Sequence, residues 1–209
     1  MTALLTSRSR QRRYRRFIDE MRPREGDTIL DVGVTDSAWR SGNFLEATYP
    51  APERITAVGL GPLSEFRRLF PTVTTVTADG RDLPFRDEEF TLGFSNAVIE
   101  HVGSREEQRR FAHELVRTCR RAFIATPNRW FPIDPHTLLP FVHWLPRALR
   151  DRVLRSTGNG RWAGEAELNP LGAGDLASLF PPRTRVRIVR QRVLGLTTVL
   201  IAIAERERE

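Results

Sequence analysis

Apolar positions along the chain switch between two periods, and the switching predicts the fold class. Tyr14, Phe17, Ile18 and Met21 recur at helical spacing within the arginine-rich segment 7–21. They predict an amphipathic leading helix within residues 1–25. Pro23 and Gly26 end it. Ile29, Leu30 and Val32 then form a short apolar run suited to a strand buried on both faces. Runs of the same kind follow at 54–60, 73–77, 90–95 and 122–126. Helical spacing falls between them, around Phe44, Leu45 and Tyr49, around Phe66 and Leu69, and around Phe111, Leu115 and Val116. Ser104 and Glu107 have the spacing of a capping box ahead of the last of these. Near the C-terminus 174–180 reads as a helix, and Val186, Ile188 and 199–204 flank Gly195 as a hairpin.

Strands that alternate with helices in this way imply an α/β fold. The expected form is a doubly wound, mostly parallel, seven-stranded, Rossmann-like sheet with a terminal antiparallel β-hairpin. One domain over 1–209 is expected, interrupted by an insert at 128–161 rich in Pro, Trp, Phe and His. The segment 28–37, TILDVGVTDS, reads as strand, glycine turn and capped helix start. Gly33 lets a ligand approach the backbone there, and a helix start presents unpaired N–H groups. An ordinary βα turn has the same pattern.

Composition narrows the chemistry. The chain has 209 residues, 40% hydrophobic and 28% charged, which is ordinary for a globular protein. All 33 basic residues are arginine, so no lysine can serve as a Schiff-base nucleophile or general base. The net charge of +7 suits nucleic acid, anionic lipid or an acidic substrate, and equally a solvated surface; there is no strong nucleic-acid signal. The leading helix has two readings, docking on the sheet or a membrane- or RNA-binding arm. A lone Cys119 excludes an intrachain disulfide and a cysteine-rich zinc site, and no motif requires a metal. No apolar run reaches membrane-spanning length and the N-terminus is too weakly apolar for a signal peptide, so a cytoplasmic location is expected.

The segments ADGRDLPFRDEEFTLGFSNAVIEHV (78–102) and IATPNRWFPID (124–134) carry a resemblance that extends over about 29–204. The chain resembles the class I S-adenosylmethionine-dependent methyltransferases, in particular the group that includes ubiquinone- and menaquinone-pathway enzymes. The resemblance implies S-adenosylmethionine as cofactor and methyl transfer to a small-molecule acceptor. It assigns the adenine amine to Asp79, with Gly80 beside it and Leu83, Pro84 and Phe85 packed nearby. It sets Ser95, Asn96, Glu100 and His101 around the sulfonium and the acceptor, and Asp31, Gly33, Thr35, Gly59 and Leu60 along the rest of the cofactor. Two positions depart from the family. Its first loop usually has further glycines where this chain has Thr35 and Ser37. Its second strand usually ends in an acid for the ribose hydroxyls where this chain has Gly59-Leu60-Gly61, leaving Thr35, Asp36 or Glu65 as substitutes. A non-catalytic cofactor-binding protein and an RNA methyltransferase are the alternatives.

Acid–base work falls to Glu100, His101, His136 and His143, because histidine titrates near neutrality. Each also has a purely structural reading, in helix capping or an aromatic cluster. The catalytic assignment is His101, Glu100 and His136. In the insert an apolar stretch (Phe131, Leu138, Leu139, Phe141, Trp144, Leu145) precedes a basic one (Arg147, Arg150, Arg152, Arg155). That order suits a lid over an apolar, lipid-linked or sugar-containing acceptor, a peripheral membrane contact, or plain packing.

Overall fold

The computed structural model describes residues 2–37, 42–164 and 167–207. The leading helix α1 (Thr2–Met21) buries its apolar stripe, with Phe17 and Met21 almost wholly enclosed. The Phe17 ring meets Phe94 and Phe123 edge-on at 5.1 and 5.5 Å, and Phe94 stacks on Phe123 at 5.4 Å. Arg121 donates to the carbonyls of Met21 and Glu20, both at 2.9 Å. A helix end leaves such carbonyls open, so this distant arginine closes it. The helix is therefore docked on the core through its stripe.

Strand β1 (Ile29–Val32) is buried throughout, Asp31 included, as the apolar Ile29, Leu30 and Val32 around it require. The short helix α2 (Phe44–Thr48) follows, then β2 (Ile55–Gly59), helix α3 (Ser64–Leu69), β3 (Thr74–Thr77) and β4 (Phe90–Asn96). Helix α4 (Arg105–Thr118) opens with the expected capping box. The Ser104 amide donates to Glu107 Oε2 at 2.7 Å, and the Glu107 amide to Ser104 Oγ at 3.2 Å. Strand β5 (Cys119–Pro127) starts three residues earlier than its apolar run suggests. Cys119 is buried there, and burial pushes its thiol up to about 12, which keeps it protonated and unreactive.

Helix α5 (Arg147–Ser156) lies within the insert, and α6 (Ala173–Ala177) is shorter than the 174–180 reading. Strands β6 (Thr184–Val193) and β7 (Leu196–Arg206) pair antiparallel through a two-residue turn. Leu194 and Gly195 form that turn at φ 49° and 81°, the backbone of the tight hairpin type. The strand order is β3-β2-β1-β4-β5-β7-β6 in one seven-stranded sheet. β1 pairs parallel with both β2 and β4, and the direction in which strands are added reverses at β1. In open α/β sheets ligands gather outside the carboxyl ends of strands at such a reversal.

The chain packs as two compact units, Met1–Phe94 with Glu114–Phe123, and Ser95–His113 with Ile124–Glu209. Among the described residues no helix is long and apolar enough to cross a membrane.

Candidate functional site

In the first unit the candidate residues cluster at the carboxyl ends of β1, β2 and β3. Gly33 has φ +108°, a conformation that a side chain disfavours, so glycine is needed directly after β1. The amides here do not await a ligand as expected from the sequence. Those of Gly33 and Val34 donate to the Val58 carbonyl at 2.8 and 3.1 Å, and Ser37 donates to Thr35 O. Asn43 clasps Thr35 on both sides, accepting from its amide at 3.1 Å and donating to its carbonyl at 2.9 Å. Among the described residues the first helix after the cluster Thr35, Asp36 and Ser37 is α2, which begins at Phe44, and its N-cap Asn43 makes no side-chain cap.

The expected room at Gly59 is also taken. A Cβ there would lie 2.7 Å from the Val34 carbonyl, so the glycine serves the close approach of β2 to the β1 loop. Leu60 beyond it is 80% exposed. The proposed substitutes for the ribose acid have other partners. Asp36 Oδ1 accepts the Phe66 amide at 2.9 Å in the first turn of α3, and Glu65 pairs with Arg68 at 2.8 Å.

Asp31 is buried and faces Glu46, a buried acid that the sequence pattern did not single out. Both carboxylate oxygens of Glu46 are buried without a hydrogen-bond partner, so nothing offsets the hydration its charged form would lose. Burial first, then repulsion from Glu46, pushes the Asp31 carboxyl well above its ordinary range, and burial raises Glu46 as well. A glutamate on the apolar side of the Phe44–Tyr49 pattern was the available signal.

Asp79 stands half-exposed after β3. It accepts the Arg81 amide at 2.9 Å and pairs with the Arg81 guanidinium at 2.6 Å. The following loop is held rigidly. Glu114 Oε2 accepts the Leu83 amide at 2.8 Å, and Arg117 donates to the carbonyls of Phe85 and Leu83 at 2.7 and 3.0 Å. The hydrogen bond from Arg117 holds the Glu114 carboxyl below its usual range.

The second unit brings the three acid–base candidates together. After β4, Ala97 turns left-handed at φ 57°, its amide bonded to Ala125 O, and the 3₁₀ turn Ile99–His101 follows. Gln108 from α4 donates to the carbonyls of Ile99 and Asn169 at 2.9 and 2.8 Å, which fixes that turn. His101 Nε2 lies 3.1 Å from His136 Nε2, and Glu100 Oε1 lies 3.9 Å from His101 Nε2. Trp162 covers both imidazoles, its ring centroid 5.6 and 5.0 Å from theirs. Ser95 at the end of β4 is fully buried, and its hydroxyl has no hydrogen-bond partner.

His143 does not join this group as a free base. Its Nε2 lies 2.8 Å from Asp134 Oδ1, inside the fold. Asp134 is the residue that the sequence pattern left unmarked. It is buried and accepts from His136 Nδ1 at 3.2 Å and from both the amide and the hydroxyl of Thr137. Burial alone would raise its carboxyl, yet the bonds from His136, His143 and Thr137 hold it far below the ordinary range. Its spacing two residues ahead of a histidine was the only trace in the sequence. Arg150 of the supposed basic stretch is likewise buried, paired with Asp151 at 3.0 Å.

Residues 37–122, less than half of the chain, match the family model of a methyltransferase domain. No curated protein matches the chain significantly. Solved structures share its fold. One is an S-adenosylmethionine-dependent methyltransferase from Methanosarcina mazei, at 18% identity over 90% of this chain and 95% of that one, with a TM-score of 0.56. A second is geranyl diphosphate C-methyltransferase from Streptomyces coelicolor, solved with Mg²⁺, geranyl diphosphate and S-adenosyl-L-homocysteine. It shares 13% identity over 94% of this chain and 78% of that one, with a TM-score of 0.58. A third, from Aquifex aeolicus, is also an S-adenosylmethionine-dependent methyltransferase, at 15% identity over 91% and 88%, with a TM-score of 0.52. At these identities the likeness is one of fold. The fold is that of class I S-adenosylmethionine-dependent methyltransferases, and the matched segment is that of a methyltransferase domain.

Proposed function

We propose that the chain methylates a small molecule with an apolar body, of the lipid-linked or sugar-containing kind. The observation that carries this is the surface of the insert. Trp130, Ile133, Leu138, Phe141, Trp144 and Leu149 are each between 46% and 61% exposed, an unusual concentration for a folded chain. Arg147, Arg152 and Arg155 are exposed beside them in sequence and suit an anionic group on the same acceptor. The Streptomyces relative acts on geranyl diphosphate, a small molecule with both features.

S-adenosylmethionine, when bound, supplies an activated methyl group on sulfur. What remains for the chain is to bind, orient, exclude water and accept a proton. Asp79 is an acceptor for the adenine amine, with Gly80 next to it, and exposed Leu60 is an apolar surface for the base. In the same unit Gly33 and Thr35 would border the rest of the cofactor. Among the acid–base candidates, Glu100 Oε1 is buried without a hydrogen-bond partner, which suits a group waiting to take the acceptor's proton. His101 Nε2 stands 3.9 Å from that oxygen, with His136 Nε2 beside it.

Calorimetric titration with S-adenosylmethionine, followed by transfer of labelled methyl into cell extract, tests this. Label in the organic-soluble or small-molecule fraction is expected. Label in RNA would overturn the acceptor class. Binding without transfer would favour a non-catalytic cofactor-binding protein, a reading consistent with the internally satisfied amides after β1. No heat at millimolar cofactor would overturn both.

A further inference from the structure

The hydrogen bonds around His101 and His136 determine which ring nitrogens carry protons. His136 Nδ1 faces Asp134 Oδ1 at 3.2 Å, and His101 Nδ1 faces the Glu167 backbone carbonyl at 2.8 Å. An ionised carboxylate and a carbonyl can only accept, so both Nδ1 atoms are the donors. In the neutral rings both Nε2 atoms then present lone pairs, and these face each other at 3.1 Å. Glu100 adds a third electron-pair donor. Its side chain is 1% exposed, its Oε2 accepts the Thr126 hydroxyl at 2.9 Å, and its Oε1 has no hydrogen-bond partner. Three donor atoms therefore lie within 4.8 Å of one another.

We propose that His101 Nε2, His136 Nε2 and Glu100 Oε1 bind a divalent transition-metal cation of the Zn²⁺ type. The dimensions suit it. Zinc–nitrogen bonds of about 2.05 Å at tetrahedral angles set the two nitrogens about 3.3 Å apart, close to the distance found. Both imidazoles already have the outer partners that metal-bound histidines use, one a carboxylate and one a backbone carbonyl. A cavity of about 10 Å³, room for a single water or ion, is lined in part by Glu100, Asp134, His136 and His143. Two imidazoles with one carboxylate suit zinc, cobalt or iron rather than magnesium, which prefers oxygen ligands throughout. His101 and His136 are 29% and 17% exposed, so an ion has a way in and keeps a position open to water or to an acceptor oxygen. The site uses the same Glu100, His101 and His136 as the proposed function, and metal titration reads its occupancy apart from methyl transfer.

The test is titration of the chelator-treated full-length chain with Co²⁺, read by its visible ligand-field absorption, and with Zn²⁺ by calorimetry. One equivalent of each is expected to bind, without competition from excess Mg²⁺. Glu100→Gln keeps an acceptor for the Thr126 hydroxyl, and with His136→Ala it is expected to weaken both metals by more than about tenfold. His113→Ala, which changes an exposed histidine outside the cluster, is expected to bind as the parent does. Circular dichroism establishes that each variant is folded. No saturable binding by the folded parent chain would overturn the site. Equal binding by the parent and both folded variants would overturn it as well.

Discussion

Asp31 and Asp134 are both buried aspartates that follow apolar residues, one in each compact unit, yet they are held in opposite states. Asp31 faces another acid and is pushed towards its neutral form. Asp134 gathers donors from His136, His143 and Thr137 and is held as a carboxylate. Burial is common to both, so burial does not settle the outcome; the partners do. The consequence differs too. Around Asp31 the turn amides are satisfied from within, whereas Asp134 fixes the tautomer of a histidine whose other nitrogen is left facing a second lone pair. Chemistry is to be sought where satisfied groups orient unsatisfied ones.

The largest expected effect breaks the first of these regions at its turn. Gly33→Val asks a β-branched residue to adopt φ +108°, a strain of about 1–3 kcal/mol, and occupies space beside the cofactor. Calorimetry is expected to show no S-adenosylmethionine binding by a chain that still folds; retained affinity would make Gly33 structural only. Asp134→Ala attacks the second region. It leaves three side chains and one amide without their acceptor and is expected to lower stability by at least about 1.5–3 kcal/mol in urea unfolding. A loss below about 0.5 kcal/mol would show that water replaces the carboxylate freely.

Asp79 offers an intermediate case, half-exposed and tied to Arg81. Asp79→Ala is expected to weaken S-adenosylmethionine binding by about 1–3 kcal/mol through one lost hydrogen bond and an unsatisfied amine. Unchanged affinity would move the adenine elsewhere.

The smallest effect is a gain. Because Asp31 and Glu46 hold protons more tightly when folded than when unfolded, the native chain binds more protons across the interval above the ordinary carboxylate range. Stability must therefore fall as pH rises from that range through the raised values. Glu46→Gln removes one acid and offers Asp31 an amide donor. Its unfolding free energy in urea is expected to match the parent's near pH 4 and to exceed it by about 1 kcal/mol at pH 8. Parallel behaviour of the two chains at both pH values would show that the two acids do not interact.

Much of the architecture was legible in the sequence because it depends on short-range periodicity. The stripe Tyr14–Met21 specifies one inward helix face whatever the helix meets, and Ile29, Leu30 and Val32 specify a strand covered on both sides. Ser104 and Glu107 settle the start of α4 between themselves, and the hairpin around Gly195 follows from two flanking apolar runs. The grouping of Glu100 with His101 was legible for the same reason, since the two are adjacent.

What only the tertiary structure decided involves partners far apart in the chain. His136 comes from the insert, 35 residues beyond His101, and nothing local brings the two rings to 3.1 Å. Arg121 follows α4 in sequence, but its guanidinium closes α1 from a hundred residues away. Nothing local marks Glu46; the fold turns it inward against Asp31. Periodicity fixes which face of an element is buried, but not which group it will meet there. A buried polar atom takes its charge, tautomer and reactivity from that partner, so the chemistry of these sites emerges only when the elements are packed.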